Sequence, residues 1–261
     1  MKRILLFLPF GLMWAYAGPA DDPQPPRPSL TLAPAVVLAK VKPGQGWTQS
    51  FRMSNMTGGT FQFDIEIQDV VVKDGKRTYA PAGEVDSSIA ETAAVTPRSL
   101  TIPPQQQGTV TVTLTVPEHT ALRAVVIYFR GHLDTPSEQG SVGLGASLGA
   151  LATFEVSGDY NFAATGFDAH PQTDTASQVI VHELVNTGTE VVVPKGALAI
   201  LDDEGRRVAK STFESHRLLH GERLAFAATC PLQLKPGHYR TVSSFEFGGK
   251  VVTASGEFSV P

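Results

Sequence analysis

VGLGASLGALATFEV, residues 142–156, is the stretch that decides the fold of this chain. Every even-numbered residue in it is apolar, whereas glycine and serine fill the early odd-numbered positions. A side-chain period of two is the pattern of a β-strand with one buried face. At about 3.3 Å per residue the stretch would extend on the order of 50 Å, which is longer than a usual strand. The sequence therefore predicts an unusually long, glycine-rich strand.

This stretch has two interpretations. In the first, it is an edge strand that pairs with another polypeptide, because an uncovered glycine-rich edge invites strand addition. The side chains that would contact the partner are Val142, Leu144, Ala146, Leu148 and Ala150. In the second, Leu151–Val156 is the last strand of a sandwich and a glycine-rich loop precedes it. The residues alone leave both interpretations open.

The N-terminus predicts export. Lys2 and Arg3 precede an apolar run from Ile4 to Trp14, and Ala15-Tyr16-Ala17 has the small-x-small pattern of a signal-peptidase site. An uncleaved N-terminal anchor is the alternative. No other stretch approaches the roughly 20 apolar residues that cross a bilayer. We therefore expect no integral membrane segment after cleavage, and a location in the periplasm or at the cell surface.

The number of cysteines and the net charge argue against a disulfide-stabilised fold and against a nucleic-acid-binding protein. Cys230 is the only cysteine, so an intramolecular disulfide is impossible. Cys230 alternates with Phe226 and Ala228, which predicts a small buried side chain rather than a reactive thiol. Loss of Lys2 and Arg3 with the signal peptide takes the formal charge from -4 to -6. Such mild acidity gives no electrostatic reason to expect a nucleic-acid partner.

Turn residues divide the remainder into two sets of short strands. The first set is predicted at 30–38, 47–54, 61–72, 99–102, 109–116, 123–133 and 142–156, and the second at 178–186, 196–201, 206–210, 223–232, 239–247 and 251–260. Within 61–72, phenylalanine and isoleucine alternate with polar residues, as in an antiparallel sheet with one wet face. Asp74-Gly75 suits a type I′ hairpin turn. Tyr239, after Leu234-Lys235-Pro236-Gly237-His238, predicts a tyrosine corner.

These patterns predict an all-β protein with two tandem immunoglobulin-like β-sandwich domains. The expected organisation is a signal peptide at 1–17, a proline-rich leader at 18–29, a first sandwich at 30–157, a linker at 158–166 and a second sandwich at 167–261.

The motifs of catalysis and metal binding are not found. His216 and His220 are four residues apart, but their neighbours predict a loop or strand rather than a zinc-binding helix. Asp202-Asp203-Glu204 contains calcium-type ligands, although carboxylates beside a glycine are ordinary turn chemistry. We find no nucleophile elbow or phosphate loop. We therefore expect no enzymatic activity, no metal and no cofactor.

The motifs of the first half resemble those of PapD-like periplasmic pilus chaperones. In order along the chain they are Ser54-Asn55-Met56-Thr57, Val95-Thr96-Pro97, Ile102-Pro103-Pro104, Val116-Pro117 and the long alternating strand. The resemblance implies donor-strand complementation, in which Val142, Leu144, Ala146, Leu148 and Ala150 complete the sandwich of a pilin-like subunit. The family holds the subunit's terminal carboxylate with an arginine in the first strand and a lysine in the last. The corresponding stretches here, Ala33-Pro34-Ala35-Val36 and Leu151-Ala152-Thr153-Phe154, contain neither.

The chain also resembles the two-domain WxL-interacting surface proteins. The second half carries this resemblance through Asn186-Thr187-Gly188, Asp203-Glu204-Gly205 and Leu234-Lys235-Pro236-Gly237-His238-Tyr239. It implies attachment to the cell wall and binding of a partner surface protein. The sequence therefore predicts a non-enzymatic chaperone-like module that captures a protein partner by strand donation, with a surface adhesion or scaffold protein as the alternative.

Overall fold

The computed structural model describes residues 29–134, 145–156, 158–172 and 177–261. Within these ranges the chain forms seventeen β-strands and one turn of 3₁₀ helix, Ala90–Thr92. The strands build two β-sandwiches in tandem, so the predicted all-β, immunoglobulin-like class is confirmed. The predicted signal peptide lies outside the described residues, as does the predicted leader up to residue 28.

The first sandwich contains ten strands in two sheets. They are β1 (Leu30–Ala33), β2 (Val36–Lys40), β3 (Gly46–Asn55), β4 (Phe61–Lys73), β5 (Lys76–Pro81), β6 (Ala94–Thr96), β7 (Ser99–Ile102), β8 (Gln106–Thr115), β9 (Ala124–Leu133) and β10 (Gly145–Glu155). One sheet has the order β1-β3-β8-β6. The other has the order β2-β10-β9-β4-β5, and β7 pairs with the beginning of β4.

The core of the first sandwich lies between these two sheets. Phe51 comes from the first sheet and Phe63 and Phe129 come from the second, and all three side chains are fully buried. The rings of Phe51 and Phe129 meet across the sandwich with their centroids 6.4 Å apart. Alternate residues of each strand therefore face a common core, as the period of two in the sequence predicts.

The second sandwich contains seven strands in two sheets. They are β11 (Phe162–Pro171), β12 (Gln178–Asn186), β13 (Lys195–Leu201), β14 (Arg207–Phe213), β15 (Arg223–Thr229), β16 (Gly237–Phe247) and β17 (Lys250–Val260). The sheet orders are β11-β12-β15 and β14-β13-β16-β17. Cys230 is buried, as predicted. The predicted tyrosine corner is also confirmed, because the Tyr239 hydroxyl donates to the Lys235 carbonyl at 2.8 Å.

Two asparagines have the same structural role in the two sandwiches. The buried amide of Asn55, at the end of β3, donates to the carbonyls of Gly59 at 2.7 Å and Ile102 at 2.9 Å. The buried amide of Asn186, at the end of β12, donates to the carbonyls of Glu190 at 2.7 Å and Leu218 at 3.0 Å. Each amide therefore joins two backbone carbonyls close to the end of its strand. The asparagine motifs behind both resemblances are therefore turn-building elements.

The structure corrects three details of the predicted strands. Strand β11 begins at Phe162, inside the predicted linker 158–166, and a register shift between Ala164 and Gly166 explains why its alternation is hard to see in the sequence. The predicted run 30–38 is two strands, because the chain passes from one sheet to the other on either side of Pro34. The glycine-rich loop proposed before Leu151 is wrong for residues 145–150, which are strand.

Ion pairs and an apolar cluster hold the two sandwiches together. Arg77 Nε lies 2.6 Å from Glu222 Oε1, and Arg123 Nε lies 3.3 Å from Glu190 Oε1. Both glutamate side chains are almost completely buried. The apolar cluster between the sandwiches consists of Val70, Ala124, Val126, Val191 and Leu219. Buried ion pairs require a fixed geometry to offset desolvation, so these contacts fix how the two sandwiches pack against each other.

Candidate partner-binding edge and cleft

Strand β10 has two halves with different neighbours. The covered half, Leu151–Glu155, pairs in parallel with β2 along one edge, and β9 pairs antiparallel with the other edge of β10. The open half, Gly145–Ala150, pairs with β9 alone. No strand among the described residues pairs with the other edge of the open half. The open half is therefore a sheet edge with room for one more strand.

Backbone polar groups alternate in direction along β10. The Leu151 N–H donates to the Ala35 carbonyl on the β2 side, whereas the Phe154 N–H donates to the Arg123 carbonyl on the β9 side. Since successive residues of a strand direct their N–H and C=O groups to opposite edges, odd-numbered residues face the β2 side. The amides and carbonyls of Gly145, Ser147 and Gly149 therefore point to the open edge.

The side chains of the open half alternate as well. Ala146 and Leu148 are half-buried against the core of the first sandwich, whereas Gly145, Ser147 and Gly149 face outward. Ala150 is completely buried, so it belongs to the protein's own core and presents no surface to a partner. Val142 and Leu144, the first two predicted contact residues, lie outside the described residues. Of the five predicted side chains, Ala146 and Leu148 remain as candidates within the described part of the strand.

The path of the N-terminal strands explains why the open half is uncovered. Strand β1 pairs with β3 in the opposite sheet, and only after Pro34 does the chain reach the edge of β10 as β2. The first hydrogen bond between β10 and this N-terminal segment is donated by the Leu151 N–H to the Ala35 carbonyl, at 2.9 Å. Among the described strands, the switch between sheets therefore leaves Gly145–Ala150 with β9 as their neighbour and β2 does not reach them.

The outer face beside the open half is polar. Arg130 on β9 is in register with Ser147, and its Nε lies 2.7 Å from Glu66 Oε2. Hydrogen bonds from Gln68 and Arg130 lower the pKa of Glu66, which keeps this carboxylate ionised. A strand added to the open half would therefore have a charged surface on one side and the apolar Ala146 and Leu148 on the other.

A cleft of about 610 Å³ begins where the open half ends. Val36 and Leu151, the first paired residues of β2 and the covered half, form one wall. The β4–β5 hairpin at 75–77 contributes a second wall, and residues 215–217 and 222–224 of the second sandwich contribute the third. The cleft therefore lies between the sandwiches, next to the end of the open half.

Arginines dominate the electrostatics of this cleft. Glu222 is held by Arg77, whose Nη2 lies 2.9 Å from Glu222 Oε2, and by the Leu219 N–H at 2.8 Å. The same Arg77 guanidinium also donates to the backbone carbonyl of Arg217. Burial, and then repulsion by Arg77, lower the pKa of Arg217. The cleft lining thus carries four basic residues, Lys76, Arg77, Arg217 and Arg223, and one acidic residue, Glu222.

Of the other residues that the sequence singled out, His216 lines the cleft, but the histidines and acidic residues do not come together as a metal or catalytic site. His216 packs edge-on against Phe226, and His220 Nδ1 lies 2.7 Å from the Gly188 carbonyl. Asp202 accepts hydrogen bonds from the backbone and side chain of Arg206. Across the ranges that the structure describes, no three histidine, cysteine, aspartate or glutamate side chains are placed to hold a metal ion.

Sequence reasoning missed the arginines of the cleft. Arg77 follows a predicted hairpin turn, and Arg217 lies in a segment considered only for its histidines. Neither position belongs to a motif, because the two residues are 140 positions apart and only the arrangement of the sandwiches brings them together. No pattern in the sequence marks either arginine as part of a cleft.

No family model and no curated protein matches the sequence. Among solved structures, a chaperone–tip adhesin complex of CFA/I fimbriae gives a TM-score of 0.44 at 11% identity and covers 85% of this chain and 96% of that chain. The Escherichia coli chaperone DraB gives 0.40 at 15% identity, covering 89% and 98%. The Salmonella enterica complex of the SafA pilin with the SafB chaperone gives 0.39 at 12% identity, covering 89% and 96%. The predicted resemblance to pilus chaperones is therefore confirmed as a likeness in fold.

In the described parts of the chain, no helix has the length and apolar composition needed to cross a bilayer.

Proposed function

We propose that this protein is a non-enzymatic, exported binding module that captures a partner polypeptide by strand addition. The partner's extended segment would pair with the open half of β10, so that the sheet of the first sandwich gains one strand. The observation that carries this proposal is the half-covered edge of β10, where Gly145, Ser147 and Gly149 direct their backbone groups away from β9.

The composition of the open half supports the same function. Glycine and serine on the outer face leave the backbone accessible, and Ala146 and Leu148 present an apolar row on the inner face. Main-chain hydrogen bonds would supply affinity, while the apolar row would select partner side chains of matching spacing. The partner class is a pilin-like subunit or a surface protein, as the sequence resemblances imply, and the predicted signal peptide would place the encounter in the cell envelope.

A proline substitution at Ser147 tests the proposal. Ser147→Pro removes an N–H that points to the open edge, so we expect the first sandwich to fold and the partner to be lost. Ser147→Val changes the side chain and keeps the N–H, so it is the matched control and should retain the partner. Ala146→Pro removes an N–H that points to β9 and should instead destabilise the first sandwich.

The measurement has two stages. The wild-type chain first captures its partner from envelope extract, and the purified complex is then compared with the free protein by amide hydrogen exchange. Binding should slow the exchange of the Ser147 and Gly149 amides, while the Ala146 and Leu148 amides, bonded to β9, should be slow in both states. Retention of the partner by Ser147→Pro, or unchanged exchange at Ser147 and Gly149, would contradict strand addition.

A further inference from the structure

The outer face of the second sandwich carries a groove along β13. Ala197 and Ala199 form part of its floor, and both side chains point away from the core. Lys210 on β14 and Val242 on β16 are in register with Ala199, so longer side chains flank the small ones on both sides. The groove has a volume of about 640 Å³, which lies within the usual range of ligand pockets. This face therefore has room for side chains of a partner.

A second hollow of about 330 Å³ lies beside the groove, and Pro231 and Leu232 are part of its lining. Arg207 and Lys210 line both the groove and the hollow. The two cations therefore lie between the two spaces. Each space also offers an accessible apolar side chain, because Val242 in the groove is 43% exposed and Leu232 in the hollow is 52% exposed.

The two cations have no counter-charge on this surface. No ion pair among the described residues includes Arg207 or Lys210. Neither the groove nor the hollow has a carboxylate in its lining. The carboxylates of the preceding hairpin, Asp202 and Glu204, pair with Arg206 instead. An acidic group between the two spaces would therefore meet two cations that the lining does not neutralise.

The order of these features favours a peptide over a lipid. A lipid carries its charge at one end and its apolar chains at the other, whereas here the charge lies between two apolar spaces. In an extended peptide every second side chain faces the same way. An acidic residue with apolar residues two positions before and two positions after it therefore matches the surface. Arginine is also enriched among the residues that contribute most to protein–protein binding.

We propose that the second sandwich docks a partner polypeptide on this surface. The partner's acidic side chain lies between Arg207 and Lys210, and two apolar side chains fill the groove and the hollow. This docking surface goes beyond the strand addition proposed for β10, because it lies on the other sandwich and uses side chains rather than a free sheet edge. Binding here does not require the open half of β10.

Three pentapeptides, capped by acetyl and amide groups, test the chemistry. LSESV has the required order, LSQSV lacks the charge, and SSESS lacks the apolar side chains. Each is titrated into the chain without residues 1–17 while the backbone amides of 197–199 and 207–210 are followed by NMR. We expect saturable shifts with LSESV, about fivefold weaker binding of LSQSV, as for loss of an exposed charge contact, and no saturation with SSESS. Equal binding of LSESV and LSQSV, or no saturable shift with LSESV, would overturn the proposal.

A double variant locates the acidic contact. Arg207→Gln combined with Lys210→Gln should weaken LSESV binding by about fivefold and should no longer distinguish LSESV from LSQSV. Both side chains are exposed, so the variant should fold. Arg206→Gln is the matched control, because Arg206 already pairs with Asp202, and it should retain the preference for LSESV. A preference for LSESV that survives in the double variant would contradict the assignment.

Other occupants of the surface give different results. Cosedimentation with phosphatidylglycerol vesicles that the double variant loses, without saturable shifts from LSESV, would identify a lipid surface. Shifts of the same amides on raising the protein concentration alone would identify a second copy of the chain. Either result would overturn partner docking. Ser147→Pro should bind LSESV as the wild type does, so failure of strand addition and failure of this docking surface are separate results.

Discussion

The two halves of β10 share one alternating pattern but have different surroundings. In the covered half, strands lie on both edges and Phe154 is completely buried against Trp47, with the ring centroids 5.3 Å apart. In the open half, β9 is the one neighbour among the strands that the structure describes, and Leu148 is half-buried. The comparison teaches that apolar alternation specifies which face of a strand is buried, but not how many of its edges are paired.

The difference between the halves predicts unequal effects of the same substitution. Ala152→Asp places a carboxylate at a completely buried position of the covered half, so we expect a loss of about 3 kcal/mol or more in the free energy of unfolding. Ala146→Asp places it at a half-buried position of the open half, where water reaches the charge, and should cost about 1 kcal/mol.

Tryptophan fluorescence during urea denaturation measures both variants. Once residues 1–17 are removed, Trp47 is the only tryptophan, and it contacts Phe154 of the covered half. The signal therefore reports on the first sandwich. Equal losses of stability in Ala152→Asp and Ala146→Asp would show that the two halves are covered alike, and the comparison would fail.

A second prediction sharpens the comparison at the cleft, which borders the covered half through Leu151. Glu222→Gln removes the buried carboxylate that pairs with Arg77, so we expect a loss of about 3 kcal/mol in stability. Calorimetric unfolding provides the measurement. Glu183→Gln is the control, because the Glu183–Arg223 pair is about half exposed and should contribute about 1 kcal/mol or less. Similar losses in the two variants would mean that the buried pair does not hold the sandwiches together.

A third and smaller prediction is that acidification lowers the stability of the second sandwich through His182. His182 is buried in the second sandwich, where its Nδ1 donates to the Gly166 carbonyl and its Nε2 accepts from Ser243. Burial lowers the pKa of His182 below its ordinary value of 6.5, so the folded protein keeps the ring neutral. In the unfolded chain the ring takes up a proton below about pH 6.5, and stability should therefore fall with acidification, by at most about 1.4 kcal/mol per pH unit.

Amide exchange between pH 7.5 and pH 5.5, corrected for the intrinsic pH dependence, tests this effect. The amides of β12 and β15, which pair at His182 and Phe226, should lose protection in wild type and lose less in His182→Gln. The amides of the covered half of β10 serve as the internal control, because that strand belongs to the other sandwich. Equal acid sensitivity in wild type and His182→Gln would exclude His182 as the cause.

Much of the fold could be read from local patterns, for reasons visible in single elements. Strand β12 occupies the predicted range 178–186, because its alternation is regular and both ends carry turn signals. Strand β11 was missed because a bulge interrupts its period between Ala164 and Gly166. The split of 30–38 into β1 and β2 was also missed, since Pro34 shows a break but not the change of sheet that follows it.

The candidate site was only partly predictable. The row that contains Ala146 and Leu148 follows from the period of two, whereas the burial of Ala150 depends on where β2 begins to cover β10. Arg217 has no sequence signal at all, because its place in the cleft depends on contact with Arg77 of a hairpin 140 residues away.

By itself, the sequence determined that this is an all-β chain with two sandwiches, because side-chain alternation and turn residues act over a few positions. It also determined that β10 has one apolar face, and that the opposite face carries only glycine and serine from Gly145 to Gly149. Only the tertiary structure decided that, among the described strands, β2 covers just one half of β10, and that Arg77 and Arg217 share one cleft. Edge pairing and charge proximity depend on contacts between residues far apart in the chain, and no local pattern records such contacts.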